Sequence, residues 1–329
     1  LDFKQVLLYT FYIKYTCVWY IYNTQVLFKE MFIMPRKGRF DYLKDAQTEI
    51  ILFFEKLIQK VFSFDEMFEI LENNKKKWKL ATVTKGVDFI SFLKKVNVIK
   101  EELNISLPNE KSTTRYITGS YSDYEIGATL YKKAYFSHYT AMALHNLTNN
   151  IPKITFLNLE QRQKNIEYSS SLSQGGIDQA FSRQMRKTNQ IATYKDQKVY
   201  MLNSKYSNNL GVEEIELNNK KYLVTGIERT LIDIAVRPDY AGGVSEIIDA
   251  YKLAKDRCSV NILISLLKKL DYIYPYQQVI GFYLERAGYS SSLLEKLNEM
   301  KSEYNFYLCY KIEQKEFSER WKLFYPKGI

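Results

Sequence analysis

The chain has 329 residues, a length that allows two or three domains and a sizeable hydrophobic core. Its composition, 46% hydrophobic and 26% charged, excludes a disordered chain. A formal net charge of +10, from 47 Lys and Arg against 37 Asp and Glu, favours nucleic acid or another polyanion as a partner, although a solvated lysine-rich surface gives the same excess.

The first 33 residues differ in composition from the rest. Residues 6–28 are rich in aromatic side chains and nearly uncharged, but Lys14 and Asn23–Gln25 interrupt them. We interpret residues 1–33 as an upstream extension that precedes a natural start at Met34, with a weak membrane segment as the alternative. We accordingly expect no membrane partner.

Three helices are predicted next. Apolar residues recur at helical spacing within residues 45–61, and Ser63 and Glu66 are placed to form a capping box at the start of a second helix. A third helix is predicted within residues 82–96. Its apolar stripe would consist of Val83, Val87, Ile90, Leu93 and Val96.

Two β-prone runs around a Pro-Asn turn predict a hairpin in residues 97–119. Three short helices followed by a hairpin is the order of a winged helix-turn-helix, which we assign to residues 41–119. In such a domain the third helix enters the major groove of DNA. The alternative is a three-helix packing module whose lysines only face water. The interspersed acids Glu101, Glu102 and Glu110 favour this alternative.

Candidate DNA contacts are small polar or cationic side chains on and around the third helix and the hairpin. They are Lys75, Lys76, Lys77, Lys79, Thr84, Lys85, Ser91, Lys94, Lys95, Lys111 and Arg115.

Residues 122–329 are predicted to form a C-terminal domain. Residues 122–217 read as a mixture of helices and short strands, and residues 218–329 as mainly helical. The fold class predicted for the whole chain is therefore α+β, mostly helical, with a winged helix-turn-helix, a mixed α/β middle region and a helical C-terminal region.

His138 and His145 are the only histidines, and their separation of seven residues would place both rings on one face of a helix. Zinc sites on a single helix typically use ligands four residues apart with an acid beside them. We therefore predict no metal site and interpret both as structural residues of a buried helix that Ser137 caps.

The segment "TGIERTLID" also has a structural interpretation. Thr225 and Glu228 are spaced as a capping box, and Arg229 and Asp233 can pair across one helical turn. A catalytic pair of carboxylates is disfavoured because these contacts would occupy both acids.

Other sequence patterns carry little enzymatic signal. The step from Glu313 to Lys315 after a β-prone run occurs in some Mg²⁺-dependent nucleases, but no second acid is suitably placed. Cys17, Cys258 and Cys309 form no CxxC pair, which fits a reducing compartment, the cytoplasm. The chain has no Walker-type glycine loop or nucleophile elbow. We expect no enzyme, no catalytic residue and no cofactor.

Several ordered blocks resemble one family, the AbiEi antitoxins of the AbiE abortive-infection systems, which are type IV toxin–antitoxin systems. These blocks are residues 135–148, 176–187, 210–215, 224–254 and 274–289, and the resemblance runs from about residue 41 to the C-terminus. It implies an N-terminal winged helix-turn-helix that represses its own operon by binding promoter repeats. It also implies a C-terminal region that neutralises a nucleotidyltransferase toxin, without requiring a stable complex.

The residues that carry this match are interpreted as mainly structural. They are His138, His145, Thr225, Glu228, Arg229, Thr230, Asp233, Arg237, Pro238, Gly242 and Gly243. The sequence thus predicts a cytoplasmic antitoxin and transcriptional autorepressor whose partners are promoter DNA and a nucleotidyltransferase toxin. The alternatives are a winged-helix regulator outside any toxin system, whose C-terminal part senses a ligand or oligomerises, and a metal-dependent nuclease using Glu313 and Lys315.

Overall fold

The computed structural model describes residues 37–163 and 172–329. The predictions for residues 1–33 therefore lie outside the described residues. Within the two described ranges, no helix is long and apolar enough to cross a membrane. Helices and strands both occur along the chain, so the mixed fold class is confirmed.

The N-terminal elements surround a small core of their own. They are α1 (Arg39–Asp45), α2 (Gln47–Lys56), β1 (Val61–Phe62), α3 (Phe64–Asn74), α4 (Gly86–Lys95), β2 (Glu101–Leu107) and β3 (Lys111–Ile117). The three predicted helices and the hairpin are confirmed. So is the capping box of α3, because the Ser63 amide donates to the Glu66 carboxylate at 2.7 Å and the Ser63 hydroxyl accepts from the Glu66 amide at 3.2 Å.

The buried face of α4 differs from the predicted stripe. Phe89, Ile90 and Leu93 are buried, but Val83 and Val87 are 67% and 57% exposed. The buried face begins at Gly86, which lies against the rings of Phe64 and Phe68. With Gly86 as position i, the three buried residues occupy positions i+3, i+4 and i+7 of the helix. The prediction was right for Ile90 and Leu93 and wrong for Val83 and Val87, because a glycine that permits close helix contact adds nothing to a hydrophobic pattern.

The middle of the chain alternates helices and strands. Its elements are α5 (Asp123–Leu130), β4 (Tyr135–Phe136), α6 (His138–Leu144), β5 (Ile154–Asn158), α7 (Gln174–Phe181), β6 (Ile191–Tyr194), β7 (Gln197–Leu202), β8 (Val212–Leu217) and β9 (Lys220–Thr225).

The remaining elements are helices followed by a small sheet. They are α8 (Ile227–Val236), a 3₁₀ turn (Pro238–Tyr240), α9 (Val244–Ala254), α10 (Val260–Leu270), α11 (Tyr276–Arg286), α12 (Ser291–Asn298), β10 (Phe306–Tyr307), β11 (Lys315–Ser318) and β12 (Leu323–Pro326).

One sheet links the N-terminal hairpin to the middle of the chain. Its strand order is β1-β3-β2-β6-β7-β5-β4-β9-β8. The hairpin joins it through a single antiparallel bridge between Ser106 and Thr193, so hydrogen bonding continues across the predicted boundary near residue 120. Strands β5 and β7 are parallel, and their carboxyl ends therefore meet at the same edge of the sheet.

The largest core surrounds α8, which contacts α6, α9, α10 and α11. Residues 229–235 of this helix are all buried. Helix α11 holds the C-terminal sheet, because the Gln278 side-chain amide donates to the carbonyl oxygens of Tyr304, Trp321 and Lys322. The fully buried Trp321 ring lies directly on Gly281 of α11.

This contact predicts a large effect of adding one methyl group. Gly281→Ala places a Cβ inside the Trp321 ring, and we expect it to lower the free energy of unfolding by about 3 kcal/mol. The matched control is Gly175→Ala in α7, where a Cβ would meet nothing within 4 Å. It should be neutral or raise stability by about 0.5 kcal/mol. Equal urea midpoints for the two variants would contradict this packing.

Candidate functional site

An exposed cationic surface surrounds α4. Lys85 precedes the helix, Lys94 and Lys95 lie in its last turn, and Lys111 opens β3 at the tip of the hairpin. The predicted DNA contacts that are exposed are Lys76, Lys77, Lys79, Lys85, Ser91, Lys94, Lys95 and Lys111. Lys94 pairs with Glu102 at 2.5 Å, and the less exposed Lys75 pairs with Glu72 at 2.6 Å.

Two of the predicted DNA contacts face the protein interior. Thr84 and Arg115 are only 2% and 5% exposed. The Arg115 guanidinium donates to the hydroxyl of Thr129 at 2.8 Å and to its carbonyl at 2.7 Å, which ties β3 to α5. These two assignments were wrong because burial leaves neither side chain able to reach a phosphate or a base.

The start of α4 is held by a contact that the sequence analysis missed. Arg39 of α1 pairs with the buried Asp88 at 3.2 Å. Asp88 also accepts a hydrogen bond from the Lys85 amide at 3.3 Å, at the N-terminus of the helix. Two segments far apart in the sequence thus fix the orientation of the cationic surface.

A second site, the basic cleft, lies beyond the carboxyl ends of β5 and β7. It has a volume of about 490 Å³. Its charged lining residues are Arg186, Lys187, Lys205, Arg229, Asp233 and Arg237. Arg229 and Asp233 were predicted as a structural ion pair, and Arg237 only as a residue of the family motif. No sequence pattern indicated the other three cations. The structure brings all six, together with His138, to one concave surface.

The deepest charges of the basic cleft form the ion pair predicted within α8. Arg229 Nε lies 2.8 Å from Asp233 Oδ1, and both side chains are buried. Arg229 also donates to the Leu210 carbonyl at 2.5 Å. Burial would lower the pKa of Arg229, but the Asp233 carboxylate outweighs it and raises that pKa, so the arginine stays charged. Among the described residues, no donor reaches Asp233 Oδ2.

One rim of the basic cleft is a loop that follows β7, and two residues at and just after the end of β5 hold it in place. Asn158 donates to the Ser204 hydroxyl at 2.8 Å and accepts from the Ser204 amide at 3.2 Å. Glu160 accepts from the hydroxyl and the amide of Ser207. Partial burial alone would raise the pKa of Glu160, but the bonds from Ser207, Asn209 and Tyr135 lower it. Glu160 therefore stays ionised and fixes the rim.

The two histidines lie at opposite ends of α6. The helix begins at His138, whose backbone has a φ of +52°, and it ends before His145. Burial lowers the pKa of His138 to about 4, so its ring is neutral near pH 7. Nε2 of His145 lies 2.7 Å from the carbonyl oxygen of Thr225. The Ser137 hydroxyl contacts Nδ1 of His138 at 2.9 Å and caps no backbone amide, so that predicted cap was wrong.

The predicted capping box of Thr225 and Glu228 was also wrong. Helix α8 begins at Ile227 after Gly226, which places Glu228 one position too early to reach back. The Glu228 carboxylate instead accepts from the Ser259 amide at 2.7 Å, and Thr225 bonds to the hydroxyl of Thr230 at 2.8 Å. Both polar residues thus connect α8 to neighbouring segments.

The remaining motifs lie away from the basic cleft. Gly242 and Gly243 adopt φ values of +80° and +92°, which glycine tolerates, and form the turn before α9. Lys315 lies in β11 with its Nζ 4.6 Å from the centre of the Phe324 ring, and Glu313 is exposed. Within residues 37–163 and 172–329, no group of three His, Cys, Asp or Glu side chains is placed to hold a metal ion.

Comparison with known proteins identifies a similar fold. No protein-family model and no curated protein matches the sequence. The structure is similar to the crystal structure of the Rv2827c protein from Mycobacterium tuberculosis, with a TM-score of 0.55 and 11% sequence identity. The match covers 85% of this chain and 91% of that chain. At this identity the likeness concerns the fold alone.

Removing one partner of the buried ion pair should be costly. Asp233→Ala leaves Arg229 charged and buried, and we expect the free energy of unfolding to fall by about 4 kcal/mol. The control is Asp249→Ala in α9, which removes an exposed aspartate that pairs with Lys252 at 3.0 Å. This control should lower the free energy of unfolding by less than about 0.5 kcal/mol. Urea unfolding measures both, and a small loss for Asp233→Ala would show that the pair does not hold α8.

Proposed function

We propose that the protein is a DNA-binding antitoxin that represses its own operon. The order α2–β1–α3–α4–β2–β3, with β1 paired to β3, supports a winged helix-turn-helix in residues 41–119. In this interpretation α3 and α4 are the helix pair, α4 is the recognition helix and the β2–β3 hairpin is the wing.

The observation that carries the DNA-binding proposal is the outward face of α4. Lys85, Lys94 and Lys95 are exposed there, and the exposed Val83 and Val87 lie at its start. Cations bind phosphates, and small apolar side chains contact the methyl group of thymine in the major groove. Val83 and Val87 are apolar, exposed and close to several lysines. Such a pair is expected on a surface that contacts bases and is not expected on a surface that only faces water.

The antitoxin assignment rests on the resemblance of residues 135–148, 176–187, 210–215, 224–254 and 274–289 to the AbiEi family. The proposed functional partner is a nucleotidyltransferase toxin, neutralised in the cytoplasm with or without a stable complex. A second candidate is a winged-helix regulator whose C-terminal region senses a ligand. The basic cleft favours this alternative, because it is a concave site separate from α4.

Two lysines of α4 test DNA binding. Lys85→Ala and Lys94→Ala should each weaken binding to the upstream promoter and reduce the slope of log affinity against log salt by about one. Fluorescence anisotropy from about 50 to 200 mM salt measures both quantities. Lys252→Ala is the control. Like Lys94, this lysine is exposed and pairs with a carboxylate, but it lies on α9 and not on α4. Unchanged affinity and slope in both α4 variants would reject the recognition helix.

Co-expression tests the antitoxin part separately. We expect the adjacent gene to encode a nucleotidyltransferase that arrests growth, and co-expression of this chain to restore it. Lys85→Ala should still restore growth, because neutralisation is assigned to the C-terminal region. Persistent arrest despite normal accumulation of the chain would overturn the antitoxin assignment and leave DNA binding standing.

A further inference from the structure

We propose that the basic cleft binds a nucleoside phosphate. This goes beyond the proposed function, because DNA binding through α4 does not involve the cleft. Within the described residues, the site combines cations without carboxylate partners, aromatic walls, and a buried acceptor without a donor.

The cations indicate an anionic ligand. Arg229 is paired with Asp233, and Lys187 lies 3.1 Å from Asp239, but Arg186, Lys205 and Arg237 have no carboxylate partner among the described residues. In the part of the chain that the structure describes, the Arg237 guanidinium donates only to the Arg186 carbonyl at 3.3 Å, and the Lys205 ammonium only to the Asp271 carbonyl at 3.4 Å. Guanidinium groups bind phosphate through two parallel hydrogen bonds, so two arginines and a lysine around one cleft suit a phosphate group.

The aromatic lining of the cleft indicates that the ligand carries a nucleobase as well as a phosphate. The rings of Tyr206, Tyr240 and Tyr272 line the same cleft. Tyr240 is fixed, because its ring packs edge-to-face against His138 at 5.6 Å and its hydroxyl accepts from the Thr188 amide at 2.7 Å. Aromatic side chains are stacking surfaces for nucleobases. A cavity of about 490 Å³ also lies within the range used for small ligands.

Asp233 contributes an unpaired hydrogen-bond acceptor to the basic cleft. Its Oδ2 is buried and has no donor within the described parts of the chain. Buried polar atoms are normally paired, and an unpaired one costs free energy. A nucleobase N–H or a ribose hydroxyl can donate to such an acceptor, and so can the P–OH group of HPO₄²⁻, so the comparison with inorganic phosphate tells these ligands apart.

The rigidity of the basic cleft supports the same conclusion. The cleft lies beyond the carboxyl ends of β5 and β7, which pair in parallel. The rim is held in advance by Asn158 and Glu160, so binding does not have to order the loop.

Calorimetric titration of the full chain tests the proposal. The probes are AMP, GMP, CMP and UMP, with inorganic phosphate, the four nucleosides and a single-stranded DNA 12-mer for comparison. We expect at least one nucleotide to bind once per chain, at least about tenfold tighter than phosphate or its own nucleoside. Arg186→Ala and Lys205→Ala should each weaken that binding about tenfold. Both residues are exposed, so the variants should melt at the parent temperature.

The control separates this proposal from DNA binding. Lys85→Ala removes an equal charge from α4 and should leave nucleotide affinity unchanged. Equal affinity for phosphate and all four nucleotides would show a general anion site and overturn the proposal. Binding of the 12-mer without binding of any nucleotide would overturn it too, because the cleft would then be part of a nucleic-acid surface. Either outcome leaves the promoter-binding result for Lys85 intact.

Discussion

The buried ion pair of Arg229 and Asp233 is the interaction on which the C-terminal part of the structure depends. A charged group inside a protein is tolerated only when its partner and its remaining hydrogen bonds are fixed. Arg229 meets this condition by bonding to Asp233 within α8 and to the Leu210 carbonyl outside it. The pair therefore sets the position of α8 against the segment that precedes β8, and α6, α9, α10 and α11 pack around that helix.

Contacts between residues close together in the sequence could be predicted, and contacts between distant residues could not. The Ser63–Glu66 box and the Arg229–Asp233 pair were predictable because both partners lie within one helical turn. The start of α4 was misjudged because Gly86 packs closely without contributing to hydrophobicity. The burial of Arg115 was missed because its partner, Thr129, lies on a later helix that spacing along the chain cannot locate.

The basic cleft was beyond sequence analysis for a similar reason. Its cations come from separate segments, at Arg186, Lys205 and Arg237, and no fixed spacing relates them. Arg186 follows α7, Lys205 follows β7 and Arg237 follows α8, and only the tertiary structure brings these three segments together. The net charge of +10 likewise does not show where on the folded surface the positive charges lie. In the folded chain, part of that charge lies on the exposed surface around α4, and part lines the concave surface of the basic cleft.

The single bridge between Ser106 and Thr193 has a consequence for dividing the protein into pieces. A fragment that ends at residue 119 would present the free edge of β2 to solvent, and such edges recruit strands from other molecules. It would also lose Thr129, whose hydroxyl and carbonyl accept from the Arg115 guanidinium. A stable N-terminal fragment therefore has to extend through α5 and keep a cover for β2, and self-association of a shorter piece would say nothing about the intact chain.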